Sequence, residues 1–270
     1  MYQPKLGVSL HGISSEIDDT LQEALRASRI ATVEVMARFF EEGGRAKMAV
    51  LDRMLERCGV RPMTIHALFG KGYDFSVLDP TERAQALTHT DLALDAAIAL
   101  GAPMIVMHSS AEPVLPEERA QRTALAQRAL AEVGERCRKA GKRIAIELLP
   151  RTCLGNTVED LFTILEPLDP QVFGVCLDTN HLMNRYATLP DVVRQLGARL
   201  WTLHMSDYDG IDEKHEMPGK GVLDWRGFVA ALAEIGYTGP FNYEAKIDGA
   251  TPQERVATLQ RNFDWLSALA

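Results

Sequence analysis

Residues Val175 to Leu182 read V-C-L-D-T-N-H-L. Three apolar residues run straight into Asp178, and His181 follows three residues later. This is the pattern of a buried strand that presents a carboxylate and an imidazole at its C-terminal tip. Three other apolar runs end in the same way. Ile144-Ala145-Ile146 delivers Glu147, Leu200-Trp201-Thr202-Leu203 delivers His204, and Phe241-Asn242-Tyr243 delivers Glu244. Three carboxylates and one imidazole at four strand tips form a donor set suited to a divalent cation, provided that the fold brings the tips together.

Working outward, one unit recurs. An amphipathic segment ends at a Gly and an apolar run follows: Gly59, Gly101, Gly141, Gly197 and Gly236 each mark such a stop. Gly takes the left-handed conformation that closes a helix without steric cost. Spacings of three and four support the helices, as in Val256, Leu259, Phe263 and Leu266 or Ala126, Leu130, Val133 and Cys137. Thr251-Pro252-Gln253-Glu254 carries a cap, a first-turn proline and a glutamate three residues on.

Eight strands are expected near 6–11, 31–36, 62–67, 103–108, 143–148, 172–178, 199–205 and 240–245. Helices are expected near 17–29, 44–58, 80–100, 117–140, 157–166, 188–196, 224–235 and 252–268. Eight strand–helix units predict an α/β chain forming a (β/α)8 TIM barrel, with residues 1–270 as one domain. No G-x-G-x-x-G follows the first strand, which argues against a doubly wound dinucleotide fold. Parallel barrel strands all end on one face. Glu147, Asp178, His204 and Glu244, separated by 31, 26 and 40 residues, therefore converge on one rim.

Composition narrows the function. The 270 residues are 46% hydrophobic and 24% charged, the profile of a chain with a full core. A net charge of -8 opposes nucleic-acid binding. No apolar run approaches the ~20 residues that cross a bilayer. The opening Met1-Tyr2-Gln3-Pro4-Lys5 shows no signal peptide, and Cys58, Cys137, Cys153 and Cys176 are scattered. The expected location is cytoplasmic.

With these motifs in place, the chain resembles the xylose isomerase-like (β/α)8 family of sugar isomerases and epimerases, a superfamily that also holds endonuclease IV. The family's four metal ligands match Glu147, Asp178, His204 and Glu244. Its D-x-x-H matches Asp178 to His181, its H-x-x-D/E matches His204 to Asp207, and its P-G-x-G turn matches Pro218-Gly219-Lys220-Gly221.

The resemblance implies one divalent ion (Mn2+, Co2+, Mg2+ or Zn2+) and a small sugar substrate. The implied reaction is proton transfer through a metal-stabilised enediolate on a ketose, keto-sugar or related polyol, with Glu147 and Glu244 as the acid–base pair. It implies that His181 contacts substrate. His66, His108, His215, Arg151 and Asp207 join it as expected substrate contacts, and Asp207 has the alternative task of orienting His204. A homo-oligomer is left open.

Ketose 3-epimerases usually carry Arg four residues before the first Gly of P-G-x-G, where this chain has His215, and Arg151 is a cation on another loop. A keto-polyol dehydratase or lyase is the alternative enzyme. An endonuclease IV-like zinc nuclease is a further one, since His66, His108, His181, Glu213 and His215 fall at or near nuclease ligand positions. His108-Ser109-Ser110 and Glu147-Leu148-Leu149-Pro150 depart from the nuclease motifs.

Some residues stay open between structure and chemistry. Glu34 and His11 fit either role. His89 reads as solvent-exposed, Trp201 and Trp265 as core, and Trp225 as either a cover or a packing residue. The segment Gly70 to Phe75 is expected to be a mobile loop.

Overall fold

A computed structural model describes residues 4–269. The strands are β1 Leu6–Ser9, β2 Thr32–Met36, β3 Arg61–His66, β4 Met104–Met107, β5 Arg143–Glu147, β6 Phe173–Asp178, β7 Leu200–His204 and β8 Phe241–Tyr243. The helices are α1 Asp19–Arg26, α2 Gly44–Cys58, α3 Pro80–Ala99, α4 Arg119–Lys139, α5 Val158–Leu165, α6 Leu189–Leu196, α7 Trp225–Glu234 and α8 Pro252–Ser267.

The strands pair in parallel in the order β7-β6-β5-β4-β3-β2-β1-β8. The ring closes through Met205, whose N–H donates to the Asn242 carbonyl at 2.9 Å and whose carbonyl accepts from the Glu244 N–H at 3.1 Å. The expected (β/α)8 barrel is therefore the observed fold.

The helix ends follow the local chemistry. Asp18, Asp79, Thr157, Asp224 and Thr251 each cap a helix by accepting a backbone N–H with the side chain. Gly59 closes α2 at φ 68°, a left-handed conformation that a side chain would strain. Several strands are shorter than expected, and at β1 and β8 this bears on the site. β1 stops at Ser9 and passes into a 3-10 turn at Leu10–Gly12, so His11 leaves the sheet. β8 has only Phe241–Tyr243, and Glu244 sits just past it.

Strand alternation divides each strand between two environments. Ile144, Ile146, Val175 and Leu177 face the helices in the main core. Ala145, Cys176, Val106 and Met104 fill the lumen, against Met63 and Trp201. Two residues beyond Ala145 and Cys176 on the same face stand Glu147 and Asp178. The apolar plug thus occupies the lumen and the polar side chains occupy its C-terminal mouth.

Trp201 floors this plug against Gly174, where an added Cβ would fall 2.1 Å from the indole. Gly174→Ala is expected to lower unfolding stability by about 1–3 kcal/mol through overpacking, measured by denaturant titration. Unchanged stability would mean that the indole moves aside freely.

Trp265 differs from expectation. It is 42% exposed and covers Gly219 from the outer face of α8. His89 is exposed as expected. The segment after β3 is tied at its far end: Asp74 accepts from the Ser76 N–H at 2.7 Å, the Ala111 N–H at 2.8 Å and Arg122 Nη2 at 2.6 Å. Arg122 and Asp74 form a buried ion pair that joins this loop to α4.

Candidate active site

Glu147 ends β5, Asp178 ends β6, His204 ends β7 and Glu244 follows β8. Each offers one side-chain atom, and these four atoms lie within 4.8 Å of one another. Asp178 and His204 are fully buried and Glu147 is 1% exposed. The fold thus brings together residues spread over nearly a hundred positions of sequence, as the rim of a parallel barrel allows.

Glu34 holds the histidine of this set. Its Oε2 accepts from His204 Nε2 at 2.9 Å and from Thr64 Oγ1 at 2.8 Å. Because Nε2 is committed to Glu34, Nδ1 is the atom left for the centre. Nδ1 lies 2.7 Å from Glu244 Oε2 and 3.3 Å from Glu147 Oε1. It nevertheless has no aligned hydrogen-bond partner, and neither has the buried Asp178 Oδ2.

Buried polar atoms left unpaired are costly. Two of them aimed into a cluster of carboxylate oxygens fit a site that completes itself with a divalent cation. Burial disfavours the charged imidazole of His204, but Glu244, Glu34 and Glu147 outweigh burial and hold its pKa well above the usual histidine range. Burial likewise acts to raise Glu147 and Glu244, yet His204 and neighbouring histidines hold both carboxyls well below the usual range.

Four histidines surround this core. His66 donates Nδ1–H to the Ala67 carbonyl at 2.8 Å, and its Nε2 meets Glu147 Oε2 at 3.1 Å. His108 Nε2 meets the same oxygen at 3.1 Å. Phe69 packs on both rings, with centroids 5.0 and 4.5 Å away. His181 donates Nδ1–H to the Leu148 carbonyl at 2.9 Å. The Nε2 atoms of His181 and His215 converge on Glu213 Oε1, at 3.3 and 3.2 Å.

Burial alone would pull these imidazoles down. The carboxylates around them instead carry His66 to about 9, His181 to about 10 and His215 to about 9. For His108 burial prevails and the pKa falls.

A cavity of about 560 Å³ opens over the cluster, and Glu147, Glu244, His66, His108, His181 and His215 all line it. That volume suits a small ligand. Asp178 and His204 lie buried at its base.

Two residues expected at the substrate are placed otherwise. Asp207 is fully buried and absent from the cavity wall. Its carboxylate accepts from the Gly219 N–H at 2.7 Å, the Leu223 N–H at 3.1 Å and Trp225 Nε1 at 2.8 Å. It is the anchor of the P-G-x-G turn and of the buried Trp225. It neither meets the cavity nor orients His204, which is the task of Glu34. Gly221 belongs to the same turn, since a Cβ there would fall 2.1 Å from the Tyr208 carbonyl oxygen.

Arg151 stands on the rim, in an adjoining pocket, with ion pairs to Glu213 at 2.7 Å, Asp212 at 2.8 Å and Glu112 at 3.3 Å. It steadies Glu213, which in turn bridges His181 and His215. His11 is exposed at the cavity edge. Phe69, Lys246 and Arg255 also line the cavity and were not singled out by sequence motifs.

Residues 23–269 match the xylose isomerase-like TIM barrel family, and the chain belongs to it. An inosose isomerase of Halalkalibacterium halodurans is 24% identical over 195 residues, covering 68% of this chain and 66% of the relative. A 3-dehydroshikimate dehydratase of Pseudomonas putida is 29% identical over 126 residues, covering 43% and 20%. For two further relatives, both uncharacterised, the match covers 51% and 64% of their length. Among solved structures, a D-tagatose 3-epimerase-like protein superposes with a TM-score of 0.82 at 21% identity, covering 98% of each chain, which shows a shared fold. No helix among the described residues is long and apolar enough to cross a membrane.

Proposed function

We propose that this chain is a divalent-metal-dependent sugar isomerase or epimerase that moves a proton on a carbon next to a carbonyl. One observation carries the reading. The carboxylates of Glu147 and Glu244 reach one point from β5 and β8, two strands lying between them on the rim, and neither His204 Nδ1 nor Asp178 Oδ2 between them makes an aligned hydrogen bond.

Glu147, Asp178, His204 and Glu244 would hold one cation, Mn2+, Co2+, Mg2+ or Zn2+, among which this mixed oxygen and nitrogen set does not discriminate. When bound, the cation supplies positive charge that offsets the negative charge developing on substrate oxygen as the proton leaves.

The chain's own groups move the proton. Glu147 and Glu244 are both held ionised by surrounding histidines, so either can accept a proton near neutral pH. The carboxyl that has accepted can return its proton to the same face, and return on the opposite face requires the partner carboxylate first to take a proton, which the protonated His66 can pass to Glu147 Oε2. His66 and His108 both bear on Glu147 Oε2, which fixes that carboxylate and makes Oε2 the oxygen that exchanges protons with imidazole. His181 and His215 would bind substrate hydroxyls with the Nε2 atoms that now face Glu213 Oε1. Phe69 and the buried floor of the cavity exclude water on one side.

The family likeness to an inosose isomerase supports a cyclic or open-chain polyol ketone as the substrate class. The likeness to a dehydratase supports a second reading, in which the same proton loss is followed by departure of a β-hydroxyl. Four unpaired cysteines are consistent with a cytoplasmic setting.

His181→Ala and His215→Ala are expected to raise KM about tenfold or more by removing a hydrogen bond from a charged group, with the metal retained. Loss of metal from either variant would reassign that histidine as a ligand. Metal analysis and activity test the whole reading. A chelator should abolish isomerisation of a keto-polyol, and one equivalent of metal should restore it. Three equivalents of zinc per chain with cleavage of abasic DNA would replace it with the nuclease, for which His66, His108, Glu147 and Asp178, His181, His215 supply the further clusters.

A further inference from the structure

The cavity is not acidic throughout. Its wall on the β1 and β8 side carries His11, Lys246 and Arg255. The anions of the cavity have partners. Glu213 has Arg151, His181 and His215. Glu147 has His66 and His108, and Glu244 has His204.

The cations of the β1–β8 wall do not. Among the described residues Lys246 and Arg255 make no ion pair, and Lys246 Nζ has no hydrogen-bond partner. Nearby Asp248 is taken by Lys220 at 2.6 Å.

The two cations are held in place by the backbone. The Lys246 N–H donates to the His215 carbonyl at 2.7 Å, which seats this residue two positions past Glu244. Arg255, in the first turn of α8, donates Nε–H to the Gly249 carbonyl and Nη1–H to the Ile13 carbonyl, both at 3.0 Å. It thereby ties the loops after β1 and β8 together and keeps Nη2 uncommitted. His11 Nδ1 is engaged by Ser9 Oγ at 2.9 Å, which leaves Nε2 free.

Two uncompensated cations thus share one wall of the cavity. Neutral hydroxyls need no such pair. An anion does, because charge-assisted hydrogen bonds from Lys and Arg are strong and match its oxygens.

We propose that Lys246 and Arg255, with His11 beside them, bind an anionic group on the substrate, a carboxylate or a phosphate monoester, away from the carbon that loses its proton. This rests on the isomerase reading for the word substrate, and on the cavity alone for the anion.

Two measurements separate those dependences. The first follows deuterium incorporation from D2O into ketoses, ketose phosphates and keto sugar acids. The second titrates the protein with inorganic phosphate by calorimetry. The anionic substrates should show kcat/KM at least about tenfold above their neutral parents, the scale of one hydrogen bond to a charged group. Lys246→Glu should remove that preference through KM, and it should abolish phosphate binding. Lys246 is exposed, so its replacement leaves the packing intact, whereas Arg255→Gln would also loosen two loops.

Preference for the phosphate or for the carboxylate would each support the proposal and name the group. Equal kcat/KM for neutral and anionic substrates, indifferent to Lys246→Glu, would overturn it while the isomerase reading stands. If no compound exchanges deuterium, the isomerase reading fails. Phosphate binding lost in Lys246→Glu would then still support the anion site, and equal binding by both proteins would overturn it.

Discussion

Glu244→Gln and Glu147→Gln proteins should fold, and each should lose at least about 10²–10⁴-fold in kcat, the contribution of a positioned general base. The two differ in detail. Glu147 is 1% exposed, its Oε2 is hydrogen-bonded by His66 and His108, and its Oε1 lies 3.3 Å from both His181 Nδ1 and His204 Nδ1. Gln at that position places an amide N–H₂ against imidazoles that now donate, so Glu147→Gln should also lower stability. Glu244 has a side chain 14% exposed and meets His204 at one oxygen, so Glu244→Gln should leave stability nearly unchanged. Kinetics and denaturant titration on both variants check the division. Full activity in Glu244→Gln would remove that residue from the proton path.

The second large effect concerns the metal. His204→Ala removes the single imidazole of the four-residue set and should yield protein that emerges from gel filtration without a bound ion. Glu34→Gln is milder. It keeps the shape but exchanges the carboxylate that accepts from His204 Nε2 for a neutral group, and metal affinity should fall about 10–100-fold.

The pH dependence follows from the raised pKa of His204. In the metal-free chain this imidazole holds its proton across neutral pH, and an incoming cation must displace it. Affinity should therefore rise with pH and fall on acidification. Calorimetry in buffers of different ionisation enthalpy would count the protons released. No proton release at neutral pH would contradict the assignment of His204 as a ligand.

Much of this site can be read from strand ends. Apolar runs that stop at Glu147, Asp178 and His204 are short, two of them follow Gly stops, and so they locate the mouth of a barrel before any contact is known. Helix starts such as Thr251-Pro252 are local signals and sit where the pattern places them.

What cannot be read is contact across the lumen. Glu34 and His204 are 170 residues apart, and nothing in the run Val33-Glu34-Val35 says which histidine its carboxylate holds. Asp207 misleads for the opposite reason. It lies three residues past His204, and that spacing suggests partnership. The chain turns away after β7, however, and the carboxylate closes on Gly219, Leu223 and Trp225 instead. Trp265 shows the limit of helical periodicity, since its place in α8 sets the face but not what covers it. Lys246 and Arg255 belong to no motif, and only the cavity reveals that they share a wall.

The central claim is that Glu147 and Glu244 move a proton at a carbon next to a carbonyl. The direct measurement is incubation of the metal-loaded protein with ketoses, aldoses and keto-polyols in D2O, followed by NMR of the product. The account predicts deuterium at the carbon α to the carbonyl, with the exchange lost in Glu244→Gln. A substrate deuterium carried intact to the neighbouring carbon, with none entering from solvent, would show a hydride shift and contradict it.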